Sequence, residues 1–247
     1  LYRKYQKGMK RFLPVLLAAL LLAGCNNDNK VIMKGAFTVP AEGMVYLDQS
    51  EVDRSTRVDS TEIKRGRFKF VTEVTGPEFY QLRFPGNEFV ALLVMPGENI
   101  SLELGKTPVA MNYTVQGSPG SADIRLLDQQ LLVTKTRLDS VRNIYNALSI
   151  DDLAVRGPEL QKTYTEAVEA QRKFNIKFVV EHISSMSSIQ ALYQRLDENT
   201  YVLYQPRDLQ YLKIVSDSLS VRYPVSRHVR ALKENVTSEL NQMYIDR

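Results

Sequence analysis

The chain has 247 residues, 32 Lys and Arg against 28 Asp and Glu, two histidines, no tryptophan and a single cysteine. One cysteine excludes an intramolecular disulfide and any two-thiol redox centre within this sequence. A 44% hydrophobic share supplies a packed core, which excludes a wholly disordered chain.

The first element is an apolar run from Phe12 to Ala23, preceded by Lys10 and Arg11 and closed by Leu22, Ala23, Gly24 and Cys25. A basic start, a short apolar stretch and small residues before a cysteine read as a signal peptide ending in a lipobox, with cleavage between Gly24 and Cys25. Twelve apolar residues rise about 18 Å as a helix, short of the roughly 30 Å hydrocarbon core, so a permanent span is not expected here. The thiol of Cys25 would instead carry a diacylglycerol thioether. At about 0.8 kcal/mol per buried methylene, two or more acyl chains hold a protein firmly where one does not. Met9 is the expected initiator, leaving residues 1–8 as upstream read-through. Residues 1–24 hold Arg3, Lys4, Lys7, Lys10 and Arg11 and no acid, so the formal charge of +4 falls to 27 basic against 28 acidic residues after cleavage. That balance gives no electrostatic case for a nucleic-acid partner or for polybasic attachment to a membrane.

From Asn26 to Lys30 a polar tether follows, and at Val31 the pattern turns to period two. Strands are expected at Val31–Thr38, Met44–Asp48, Arg57–Ile63, Arg67–Val74, Phe79–Phe84, Glu88–Met95, Ile100–Leu104 and Asn112–Gln116. Eight short runs of this kind predict an antiparallel β-sandwich or partly open barrel over residues 31–118. The clearest hairpin is Val58 to Val71, turning at Lys64, Arg65 and Gly66, with Gly66 supplying a positive φ. Pro96 and Gly97 mark another turn.

Beyond Ser121 the period becomes helical, and residues 119–247 are expected to form an all-α region. Ile124, Leu127, Leu131, Leu138, Val141, Tyr145 and Leu148 form a three-four stripe interrupted at Thr134. Pro158 is expected to open a second helix, with Leu160, Tyr164, Ala167, Gln171, Phe174 and Phe178 as its stripe and residues 151–157 as the loop. The two stripes predict a long antiparallel helix pair. Three shorter helices are expected at Ser187–Leu196, Pro206–Val221 and from Ser226 onward. A helical repeat array is the alternative, disfavoured because no residue pattern recurs at a fixed period.

Gly35 in the first strand, Val58-Asp59-Ser60, Gly66 with Phe68 and Phe70, Pro77, Pro96-Gly97 with Ile100, and Gly117-Ser118 together carry a resemblance. In this order, after a lipobox, they resemble the domain of unknown function at the amino end of envelope lipoproteins in which a thioredoxin-like (AhpC/TSA, thiol-disulfide oxidoreductase) domain follows. The helical region after Ser118 is similar to the connector of those proteins. The resemblance implies a redox domain beyond Arg247, of which this chain would be the amino-terminal fragment; a complete chain without that domain is the rival expectation. Thiol-disulfide exchange at such a site needs two cysteines about one helical turn apart. No Cys-x-x-Cys is present, so the chain is expected to be non-catalytic and to need no cofactor or metal.

His182 and His228 have no carboxylate or cysteine at metal-ligand spacing and read as ordinary helix histidines. Asp59-Ser60 reads as strand-edge turn chemistry, and Asp151-Asp152 and Asp197-Glu198 as capping and solvated pairs. Residues 117–120 lack the lysine of a phosphate loop. Phe68, Phe70, Phe79, Tyr80, Phe84 and Phe89 alternate along strands as core residues rather than as a base-stacking platform.

Two functional expectations follow. One is a lipid-anchored module that positions a redox domain or docks its partner. The other is a stand-alone envelope lipoprotein whose sheet or helical surface binds a protein, peptide or glycan. Both place the chain in the cell envelope, facing the periplasm or at the outer membrane.

Overall fold

The computed structural model describes residues 29–245; the signal segment and Cys25 lie outside the described residues. Eight strands come first: β1 (Lys30–Phe37), β2 (Met44–Ser50), β3 (Ser55–Glu62), β4 (Arg67–Glu73), β5 (Glu78–Arg83), β6 (Phe89–Val94), β7 (Asn99–Leu104) and β8 (Tyr113–Gln116). They form two four-stranded sheets, ordered β4-β1-β7-β8 and β3-β2-β5-β6. Alternation sends Val31, Met33, Phe68, Phe70, Ile100, Leu102 and Leu104 of the first sheet against Val45, Leu47, Leu82, Val90, Leu92 and Val94 of the second, which makes the sandwich core.

The wholly antiparallel expectation needs one correction. β1 and β7 pair in parallel, with Met33 opposite Ile100 and Gly35 opposite Leu102. The expected hairpin is also only half present. Arg65 (φ 54) and Gly66 (φ 70) form a two-residue turn between Lys64 and Arg67, which bond each other in both directions. Past that turn the strands part: β3 pairs with β2 and β4 with β1, so the turn is a corner joining the two sheets. Periodicity identified the strands and the turn but carried no information about which partner each strand takes.

Five α-helices follow among the described residues: α1 (Pro119–Ala147), α2 (Ile150–Glu181), α3 (Ser187–Tyr193), α4 (Leu209–Arg222) and α5 (Arg227–Ile245). None of them is long and apolar enough to cross a membrane. α1 and α2 fold back on each other, with Leu138 packed beside Ala167 and the interrupting Thr134 donating to Gln171 Oε1 at 2.6 Å. α2 begins eight residues before the expected Pro158. The Ser149 hydroxyl accepts from the Asp152 amide at 3.2 Å, and Asp151 and Asp152 sit in the first turn, where the helix dipole favours acids. Pro158 is exposed inside the helix, as is Ala154, whose carbonyl loses its bond there and faces water. The residues expected to be a loop are therefore helix.

Sheet and helices share apolar material through β6. Val90, Leu92 and Val94 point into the sandwich, whereas Leu93, with Phe79 of β5, points outward into a second core with Ile124, Leu127, Phe178, Val179, Leu192 and Leu232. The start of α1 is fastened to the same strand. Ser118 caps α1 by accepting from the Ser121 amide at 3.2 Å, and both serine hydroxyls donate to the Leu93 carbonyl, at 3.1 and 2.9 Å.

Gly117 leads into this junction with φ +80, and a Cβ built there would collide with the Asn99 carbonyl oxygen. Left-handed backbone and steric conflict act together, so Gly117→Ala is expected to cost at least about 2 kcal/mol of unfolding free energy. Chemical denaturation of the variant against the parent chain measures it.

Candidate functional site

A cleft of about 470 Å³ lies where the outward face of the second sheet meets the helices. Its floor is Phe79 and Ala91 of β5 and β6. Its walls are Gln190 and Tyr193 of α3, Arg195 and Tyr201 of the following loop, and His228, Leu232 and Asn235 of α5.

Each wall is held from behind. The Asn235 amide donates to the Tyr193 hydroxyl at 2.8 Å, and burial raises the Tyr193 pKa. Tyr193 and Tyr201 meet edge to face with centroids 6.4 Å apart. The Arg195 guanidinium lies 4.3 Å from the Tyr201 ring centre, bonds the Tyr201 hydroxyl, and donates to the Glu198 carbonyl at 3.0 Å. Arg227 of α5 reaches the Glu51 carboxylate beyond β2 at 3.3 Å, which ties the helical wall to the sheet.

A buried polar ladder sets the position of α3 and its loop. Thr134 donates to Gln171, Gln171 to Asn175 at 2.7 Å, and Asn175 to the Ala191 carbonyl and Gln194 Oε1 at 2.8 and 2.9 Å. The ladder ends at Asp128, which accepts from Gln190 at 3.1 Å and Gln194 at 3.5 Å. Burial raises the Asp128 pKa, opposed by those two amides and by Lys135. The bonds from Asn175 and to Asp128 join α2 and α1 to α3 and its loop, and Thr134 and Gln171 tie α1 to α2 behind them, so the ladder is a register device for the cleft wall. Deeper in the helices Arg172 pairs with buried Asp208, which also accepts from the Gln205 amide at 2.9 Å and thereby closes the turn into α4.

The fold disperses most of the residues weighed in the sequence. Asp59 accepts from the Ser60 amide at 2.7 Å on exposed β3, with no histidine beside it. Asp151 and Asp152 cap α2, and Asp197 accepts from the Asn199 amide at 2.9 Å in an exposed turn. His182 differs from the sequence reading in one respect. The fold brings Asp123, remote in sequence, to 3.9 Å from its Nε2. Its Nδ1 meets the Phe178 carbonyl at 2.9 Å and its ring stacks on Phe178 at 4.1 Å, while Ser187 bonds Asp123 rather than the imidazole. No nucleophile is aligned by this set, because the hydroxyl and the imidazole use separate partners. Among the described residues, no three or more His, Cys, Asp or Glu side chains are grouped to hold a metal ion. His228, read as an ordinary helix histidine, lines the cleft, with its ring edge-on to Phe79 at 4.9 Å. The expected cleavage and lipidation residues, Gly24 and Cys25, lie outside the described residues.

Two comparisons assign parts of the chain. Residues 9–26 match the model for a prokaryotic membrane lipoprotein lipid attachment site, and residues 31–124 match a domain of unknown function (DUF4369). The chain thus carries a lipid attachment site followed by that domain, and is a lipid-anchored protein of the cell envelope. The matched domain runs from Val31 of β1 through all the later strands into the first six residues of α1, ending at Ile124, the first residue of the α1 apolar stripe. No curated protein matches the chain.

Burial lowers the His228 pKa from its usual 6.5, against opposing pulls from Glu78 and the Ser50 backbone. Below that value the unfolded chain binds protons that the folded chain resists, so this group costs stability as pH falls and nothing above neutrality. The parent chain is therefore expected to lose more stability than His228→Gln between about pH 7.5 and about pH 5.5. Paired denaturation curves at the two pH values report the difference.

Proposed function

We propose that this chain is the non-catalytic, lipid-anchored module of an envelope thiol-disulfide oxidoreductase, holding a thioredoxin-like domain at a fixed stand-off from the bilayer. The observation that carries the reading is the cysteine count: the one thiol in the sequence is Cys25, at the end of the matched lipid attachment site. A thioether sulfur is neither nucleophile nor leaving group in disulfide exchange, so dithiol chemistry has to come from another domain. Two further features support a positioning role. The sheet and helices share a core through β6, so displacement of one is transmitted to the other. The resemblance of residues 31–118 and of the helical connector supplies the identity of the domain being positioned.

A second reading is favoured by the cleft. Tyr193, Tyr201 and Phe79 offer aromatic surface beside the Arg195 cation, a combination that suits an extended peptide or a glycan. On this reading the chain is a stand-alone binding or scaffold lipoprotein.

Cys25→Ser is expected to move the mature chain from the detergent phase to the aqueous phase in a partition experiment, because the acyl chains are lost. The mature lipidated chain alone is expected to reduce insulin no faster than buffer; turnover above that rate would defeat the non-catalytic reading. The gene downstream of the codon for Arg247 separates the two readings: an open frame encoding Trp-Cys-x-x-Cys supports the redox module, and a stop codon supports the binding protein.

A further inference from the structure

The helices cover the outward face of β5 and β6 in the second sheet, but β1, β4 and β7 of the first sheet stay open on their outward side, where Lys34, Lys69, Ser101 and Glu103 are exposed. We propose that this open face docks on the anionic headgroup surface of the same bilayer that holds the acyl chains of Cys25. The inference rests on lipid attachment and is independent of the redox reading.

Lys34 of β1 stands directly opposite Lys69 of β4 in the antiparallel register. Like charges facing each other across a strand pair destabilise it, so an external anion at this place relieves a strain built into the fold. Arg67 lies two residues along β4, and Lys64 and Arg65 belong to the corner turn beside it. None of these five cations forms an ion pair with another described residue. A depression of about 550 Å³ opens among Lys34, Lys64, Arg67 and Lys69, where Gly35 and Ser101 contribute little bulk and Glu62 is the one carboxylate set against the four cations. That space accommodates phosphate oxygens. Beside the lysine pair, Ile32 faces Val71, which is 46% exposed, so the patch alternates cationic and apolar surface as an interfacial face does.

The anchor selects the occupant. Four residues lie between Cys25 and Lys30, so five steps along the chain span at most about 18 Å, and Lys34 lies roughly 13 Å further along β1. The patch is therefore confined within about 30 Å of the acyl chains, which gives it a high effective concentration at the headgroups. Near-zero net charge over the mature chain does not oppose this, because screening over about 8–10 Å leaves each face to act through its own charges. A surface cation contributes about fivefold in partition to an anionic leaflet, so even partial contact fixes an orientation.

The test uses the mature chain, its acylation established by intact mass, in nanodiscs of phosphatidylcholine with or without phosphatidylglycerol. Lysine acetylation is followed by peptide mass spectrometry. Lys34, Lys64 and Lys69 are expected to label about fivefold more slowly in the anionic discs, with protection lost in high salt, while Lys177 and Lys213 label equally in both. In Lys34→Gln/Lys69→Gln, whose exposed positions spare the core, protection of Lys64 is expected to fall. Equal labelling of the three lysines in both discs would overturn the proposal, as would protection in neutral discs that survives salt. Protection produced in neutral discs only by added polyglutamate would overturn it in favour of a soluble acidic polymer.

Discussion

The architecture depends on burying β6 on both of its faces. Most strands of a two-sheet sandwich need apolar side chains on one side only, but β6 sends Val90, Leu92 and Val94 one way and Ala91 and Leu93 the other. Without the helices, Leu93 and Phe79 would form an exposed apolar patch; without the sheet, α1 and α2 would lack the surface that Ile124 and Leu127 require. Each half completes the other. A continuous core also explains why polar groups at the junction are strictly paired, since Ser118 and Ser121 are buried where an unmatched hydroxyl would be costly.

Much of this was legible in the sequence, because period two and period 3.6 survive wherever one face is dry and the other wet. All eight strands and all five described helices lie where those periods place them, with ends shifted by a few residues apart from the start of α2. The near-continuous apolar run Phe89–Val94 carries the signature of a strand buried on both sides. What the sequence hid was partnership. The parallel pairing of β1 with β7 and the parting of β3 from β4 depend on long-range packing, to which alternation is blind. Pro158 misled because proline usually marks a helix start, whereas here the capping strength of Ser149 with Asp151 and Asp152 outweighs the loss of one bond on a wet face. Thr134 read as a break in one stripe and Gln171 as a member of the other; together they are one hydrogen bond.

The cleft was less legible still. Its walls come from β5, β6, α3, α5 and a loop, and no local spacing joins Phe79 to Tyr193 or His228. Composition did hold a hint: in a chain without tryptophan, the aromatic surface of a binding wall has to come from its 13 tyrosines and 9 phenylalanines. The ladder from Thr134 to Asp128 fixes that wall by directional bonds rather than by bulk, so its geometry tolerates little drift.

Tethered proteins share a plane, and crowding in two dimensions brings the same surface of neighbouring copies together repeatedly. β6 is the last strand of its sheet, so a bare Leu93 carbonyl would be a template on which another copy could add a strand. The hydroxyls of Ser118 and Ser121 occupy that acceptor, and α1 lies beside it. The junction that unites the molecule internally thus also blunts this one sheet edge as a template for strand addition.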